Sequence, residues 1–158
     1  MEIQRTINMI DEQDYWKKKA QCLSDIREAL PRYADRLNEC DERLMIYIDD
    51  AISNNASHSN FYELLGIRKE MRLLDSYDLD PERVKRSLRA IEGQWQGGRH
   101  VKGGLRFSTP RGSQHVRLMP FQVWLIFEIY AFKVDVPMER EYHEGDMLLP
   151  TEWVRDGW

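Results

Sequence analysis

The 158-residue chain is 42% hydrophobic and 32% charged, a balance that argues against both a membrane-spanning protein and a disordered one and leaves a water-soluble globular domain. A chain of this length can bury roughly two-thirds of the surface it exposes when unfolded, so one core is expected. The net charge of −4 hides an uneven distribution: residues 1–80 carry 11 basic and 17 acidic side chains, residues 81–118 carry 9 basic against only Glu82 and Glu92, and residues 119–158 carry 3 basic against 8 acidic. A basic island therefore lies between two acidic flanks.

The opening "MEIQRTINMIDEQDYWKKKAQ" is broken by charge throughout and lacks the apolar centre of a secretory signal, so an intracellular chain is expected. From Trp16 onward apolar and semi-polar residues recur at a 3,4 spacing: Leu23, Ile26, Leu30, Tyr33, Leu37, Cys40, Leu44, Tyr47 and Ala51. That spacing predicts a helical seam, and a core-facing stripe is favoured over an intermolecular one, with a homo-oligomer through Leu30, Leu37 and Leu44 as the alternative. Pro31 falls inside the seam without changing its phase, which predicts a kinked helix or two abutting helices. Cys22 and Cys40 fit neither a zinc knuckle nor a redox pair and are expected to be small helix side chains. "SNNASHSN" ends this first segment, residues 1–57, with a cluster of turn formers.

The second segment, residues 58–132, opens with Asn60 and Glu63 at capping-box spacing, followed by Leu64, Ile67, Met71 and Leu74 on one helical face. Asp80 as cap and Pro81 at the first helical position start another helix, with Val84, Leu88 and Ile91 inward, expected to stop before Gly97 and Gly98. Between Gly97 and Pro120 the periodicity is lost, and "STPRGS" predicts a turn between "GLRF" and "QHVRL", hence at most one small β-hairpin. "RLMPFQVWLIFEIYAF" is the most apolar run, too short to span a bilayer. It predicts a helix from Pro120 to about Phe132 that is buried on almost every side. Residues 133–158 are expected to form an irregular, acidic tail, and the stop on Trp158 suggests a cut rather than a finished domain. The fold class expected is mainly α.

Complete catalytic sets are missing: the chain has no G-x-x-x-x-G-K-[ST], H-E-x-x-H or G-x-S-x-G. His58, His100, His115 and His143 are scattered without ligand spacing, so no metal site is expected. The order of the pieces carries more. "YDLDPERVKRSLRAIEGQWQGG", a basic loop and then "VRLMPFQVWLIFEIYAF" resembles the segment just upstream of the ATPase core in tailed-phage terminase large subunits, through Asp80, Gly97, Leu118, Pro120, Phe121 and Gln122. Phe121 stands where that family usually has tryptophan. The resemblance, over roughly residues 44–132, implies an N-terminal fragment of a DNA-packaging motor in the host cytoplasm. The phosphate loop and nuclease domain would lie elsewhere in a parent ATPase and endonuclease, so this chain alone would not be an enzyme.

A glutamine in the first turn of so apolar a helix needs a reason, because a buried carboxamide without partners costs about 1–3 kcal/mol. The resemblance implies that Gln122 helps to hold the adenine of ATP with Phe121 or Trp124 packed nearby, once the missing core and its magnesium are present. A carboxamide can pair with both N6 and N7 of that base. The alternative is that Gln122 satisfies backbone groups at the helix start. Partners implied are the rest of the large subunit and double-stranded DNA, the latter through Arg99, Lys102, Arg106 and Arg111, with no membrane. A different reading is a stand-alone helical module that binds nucleic acid or protein without catalysis.

Overall fold

The computed structural model describes residues 2–54 and 56–133, with side chains from Glu12 onward. Five helices carry the described residues: α1 (Glu2–Cys40), α2 (Glu42–Ser53), α3 (Phe61–Ser76), α4 (Pro81–Glu92) and α5 (Pro120–Tyr130). Four short strands stand between α4 and α5: β1 (Gln94–Gln96), β2 (Arg99–Lys102), β3 (Arg106–Thr109) and β4 (Gly112–His115). They pair as two antiparallel hairpins, β1 with β2 and β3 with β4. The fold is mainly α, as expected, with two hairpins where the sequence suggested one.

The seam faces inward. Leu23, Ile26, Tyr33, Leu37 and Cys40 of α1 and Leu44, Ile48 and Ala51 of α2 are buried in one cluster with residues of α3, α4 and α5, and Leu30 packs at its edge. Leu37 and Leu44 thus have no surface left for a second copy, which removes the alternative of a homo-oligomer through that seam. A single core draws on residues before and after the turn around 57. Each fully buried Leu, Ile or Val in it contributes about 1.5–3 kcal/mol relative to exposure.

Pro31 does not divide the helix, because α1 continues through it to Cys40. The break falls at Asp41, which has extended backbone (φ −171°) and whose carboxylate accepts from Arg43 N at 2.9 Å as the N-cap of α2. An acceptor aimed at the first free amides stabilises a helix start by about 1 kcal/mol. Both cysteines are buried and free, and burial pushes the Cys40 thiol up to about 12, as suits inert core side chains.

Asn60 does not form the expected capping box. Its side chain is buried and donates Nδ2 to Ala51 O at 2.7 Å, tying the start of α3 to the last turn of α2. A helix ends with carbonyls that lack intrahelical partners, and a buried one claims the amide before the local cap can. Around it, Lys19 donates to Ser57 O and Tyr15 to His58 O, while Tyr15, Trp16, His58 and Phe61 pack ring on ring.

Leu64, Ile67, Met71 and Leu74 of α3 are buried as their spacing predicts, and Glu70 is buried among them with Oε2 lacking a hydrogen-bond partner. Burial first, and the Glu128 carboxylate second, push Glu70 up to about 7, with Lys69 opposing. The folded state therefore holds this proton more tightly than the unfolded state. The stability it contributes is complete below the unfolded value near 4.5 and is lost as pH rises through about 7. Glu70→Gln is expected to flatten that fall, which should be about 2–3 kcal/mol between pH 5 and 8. Urea unfolding at the two pH values checks this, and equal pH slopes in wild type and variant would refute it.

Asp80 caps α4 by accepting from Arg83 N at 3.2 Å, with Pro81 in the first turn, as expected. Opposite, Pro120 starts α5, and Val123, Trp124 and Phe127 are buried with Tyr47 stacked on the indole at 5.1 Å. The helix is not buried on every side, however. Phe121, Leu125 and Ile129 are exposed, because α2 and α4 cover only one face. The chain after α5 is pinned by Asp80 N to Ala131 O (2.6 Å) and Lys133 N to Asp78 O (2.9 Å), with Leu79 bridged to Phe132. Among the described residues no helix is long and apolar enough to cross a membrane.

Candidate nucleic-acid interface

The basic island becomes a platform because α4 stops at Glu92, sooner than its sequence suggests. Gly93 takes φ +73°, and a Cβ there would meet Lys102 O at 2.4 Å. Gly104 takes φ +77°, and a Cβ there would meet the Glu92 carbonyl carbon at 2.3 Å. Only glycine allows the two chain segments to cross this closely in the left-handed region. The crossing is sealed by Leu105 N to Ile91 O (2.8 Å) and Val116 N to Leu105 O (3.1 Å), which root both hairpins on the end of α4.

Trp95, expected on the helix, lies instead on β1, with its indole donating to Glu92 O at 2.8 Å. Gly97 and Gly98, both with positive φ, make the two-residue turn of the first hairpin. In the second, Thr109 Oγ1 donates to Gly112 O at 2.7 Å and accepts from Arg111 N at 3.2 Å, holding the "TPRG" turn. The hairpins are clasped to each other. His100 of β2 and His115 of β4 stack with centroids 3.5 Å apart and planes 6° apart, and Arg106 Nη2 lies 3.2 Å from His115 Nε2. Burial, then His100, then Arg106 lower the pKa of His115 from its ordinary value. The neutral ring suits a stack beside a cation.

Below the clasp, Glu92 gathers the elements. Its buried carboxylate accepts from both terminal nitrogens of Arg43 (Nη2 at 2.9 Å), from Arg117 Nη1 at 3.2 Å and from Leu118 N at 2.6 Å. Arg43 also donates to both oxygens of Asp41, at 2.9 Å each, and to Leu118 O at 3.1 Å. Burial pushes the Asp41 carboxyl up, but the hydrogen bonds and charge of Arg43 outweigh it and leave the pKa below its ordinary value. This network joins the start of α2, the end of α4 and the entry to α5, and Arg117 reaches over the Trp95 ring at 5.0 Å.

The cations of the hairpins have no acidic partner among the described residues, although Arg106 also holds His115 in the clasp. Arg99 and Lys102 on β2, Arg106 on β3 and Arg111 at the turn are all exposed, and among the described residues no carboxylate lies within ion-pair distance of any of them. Between Glu92 and Glu128 the sequence has no acidic residue at all. The structure thus brings all four predicted cations onto one pair of clasped hairpins, with Arg99 and Lys102, three apart on β2, projecting to opposite faces of that strand, as do Arg106 and the exposed Phe107 on β3. Such a surface neutralises backbone phosphates without needing a base sequence.

No protein-family model, no curated protein and no solved structure matches this chain. The geometry has to speak for itself. At the other candidate site, Gln122 Oε1 accepts from Met119 N at 2.8 Å, closing the first turn of α5, which is the backbone role left open for it. Trp124 is buried against Tyr47 with its indole donating to Glu128 at 2.6 Å, whereas Phe121 is exposed. One carboxamide nitrogen and one ring remain for a base, and no phosphate cradle accompanies them among the described residues. Sequence reasoning missed Glu92, Arg43 and the His100 and His115 clasp. The signal for Glu92 was present, since it is one of only two acids in the basic island.

Proposed function

We propose that the chain is a helical nucleic-acid-binding module that grips backbone phosphates with its paired hairpins. The observation that carries the reading is the set of four exposed cations on the two clasped hairpins, with no carboxylate within ion-pair distance of them among the described residues. Binding of this kind is insensitive to sequence and weak, with dissociation constants of roughly 10⁻⁴ to 10⁻⁶ M at physiological salt. The test is a fluorescence anisotropy titration of labelled duplexes of two unrelated sequences. Equal, micromolar binding to both at 50 mM salt is expected. No anisotropy change with tens of micromolar protein would remove the reading.

A second proposal places this module in a larger machine, as the N-terminal part of a terminase large subunit. Its support is the order of the pieces and the Pro120, Phe121 and Gln122 motif opening α5. The downstream reading frame decides it. A phosphate loop within roughly the next few dozen codons supports the motor, and a stop codon directly after Trp158 ends that proposal while leaving the phosphate grip untouched.

A further inference from the structure

The two hairpins meet through a single pair of rings. Among the described residues no side-chain hydrogen bond runs from β1 or β2 to β3 or β4, and the stack of His100 on His115 is the only ring contact between them. The covalent joint between the hairpins is Gly103 and Gly104, with φ of +73° and +77°. Just after it, Leu105 N holds the root of the second hairpin on Ile91 O.

Hydrogen bonds fix where protons sit on the stack. Gly103 O can only accept, so His100 Nε2, 2.7 Å away, carries a proton. Arg106 can only donate, and it faces both nitrogens of the other ring. Its Nη2 lies 3.2 Å from His115 Nε2, and its Nε lies 3.5 Å from His115 Nδ1. A neutral His115 keeps one lone pair for Arg106. A doubly protonated His115 keeps none, and it sets a second cation against the guanidinium.

The surroundings offer that second proton no compensation. Arg99 and Lys102 lie on either side of His100 along β2, and Arg106 is the charged residue of β3. From β1 the uncharged Trp95 meets His100 edge-on at 5.5 Å, with Arg117 over the indole at 5.0 Å. Glu92, the acid closest to His100 in sequence, is engaged by Arg43, Arg117 and Leu118 N. Among the described residues no carboxylate lies within ion-pair distance of either ring.

We infer that the His100 and His115 stack is a latch that opens when His115 takes up a second proton, freeing the second hairpin to swing away from the first beyond its root at Leu105 and Val116. The closed latch binds that proton more weakly than the open one, in agreement with the lowered pKa of His115. The latch is therefore complete above the ordinary histidine range and is lost as pH falls through the lowered value. Its consequence for phosphates rests on the grip proposed above. Opening changes the spacing between the cations of β2 and those of the second hairpin.

NMR on the full chain without nucleic acid tests the latch, so its failure is distinguishable from failure of the grip. Contacts between the ring protons of His100 and His115 are expected at about pH 7.5, and they should vanish below the His115 midpoint, itself lower than an ordinary histidine's. Amides from Phe107 to Gln114 should shift with the same midpoint, while those of α1 to α4 stay in place. His115→Phe keeps a flat ring that takes no proton, so its contact with His100 should persist at about pH 5. Arg106→Gln supplies an amide oxygen that accepts from a protonated ring, so it should raise the His115 midpoint and preserve the stack below it. Ring contacts that are absent at the higher pH, or that survive below the wild-type midpoint, would overturn the inference. A midpoint that Arg106→Gln leaves unchanged would do the same.

Discussion

Glu92→Ala is expected to lower the unfolding free energy by about 3–5 kcal/mol. The carboxylate is 3% exposed and accepts from Arg43, Arg117 and Leu118 N together. Its removal leaves the Leu118 amide and two of the five Arg43 N–H groups without partners, in a site with little water to replace them. Asp41 still neutralises Arg43, which keeps the loss within the range for one broken partner of a buried pair. Glu92→Gln preserves the shape and the acceptor for Leu118 N, so it should cost about 1–3 kcal/mol. Urea unfolding measures both. Hydrogen exchange should also show the Leu105 and Val116 amides opening in Glu92→Ala, since the hairpin roots depend on the same junction. A cost below about 1 kcal/mol for the alanine variant would mean that the network is ornamental.

Replacing Arg99, Lys102 and Arg106 together with glutamine is expected to abolish most of the salt dependence of DNA binding. If all four exposed cations contact phosphates, log K falls with log salt at a slope of about −3.6, which weakens binding roughly hundredfold between 50 and 200 mM. With Arg111 alone remaining, the slope should approach −0.9 and the same salt change should cost only about fourfold. Thermal stability should stay nearly constant, because exposed charges contribute about 0–1 kcal/mol to folding. A triple variant with the wild-type slope would move the phosphate contacts off the hairpins, for example to α4.

The helices could be read in advance because their burial is periodic, and each apolar stripe states its own phase. Asp80 with Pro81 behaved as written, since nothing nearby competes for that cap. Asn60 did not, because a carbonyl at the end of a neighbouring helix claimed its amide, and such a claim has no local signature. The Gly97 and Gly98 pair was a hairpin signal, but running α4 on through Trp95 turned it into a helix stop. His100 and His115 lie fifteen positions apart with no shared pattern. They meet only because Gly93 and Gly104 let the chain leaving β2 cross close against the end of α4, which turns β3 and β4 back beside the first hairpin. Gln122 shows the reverse case. Its place in the first turn was visible, while its partner, the Met119 amide, is a backbone group that every sequence has.

The placement of α5 also bears on how the chain is made. Its buried face lies against α2 and α4, and Trp124 is the ring that covers Tyr47 of α2. A ribosome adding about 5–20 residues per second would release α1, α2 and α3 several seconds before α5 exists. During that interval the inner faces of α2 and α4 have no lid, and the newborn chain presents a greasy cleft to whatever chaperone waits at the exit. Folding can finish only when Ala131 and Lys133 have emerged to tie the end of α5 to the segment ahead of α4.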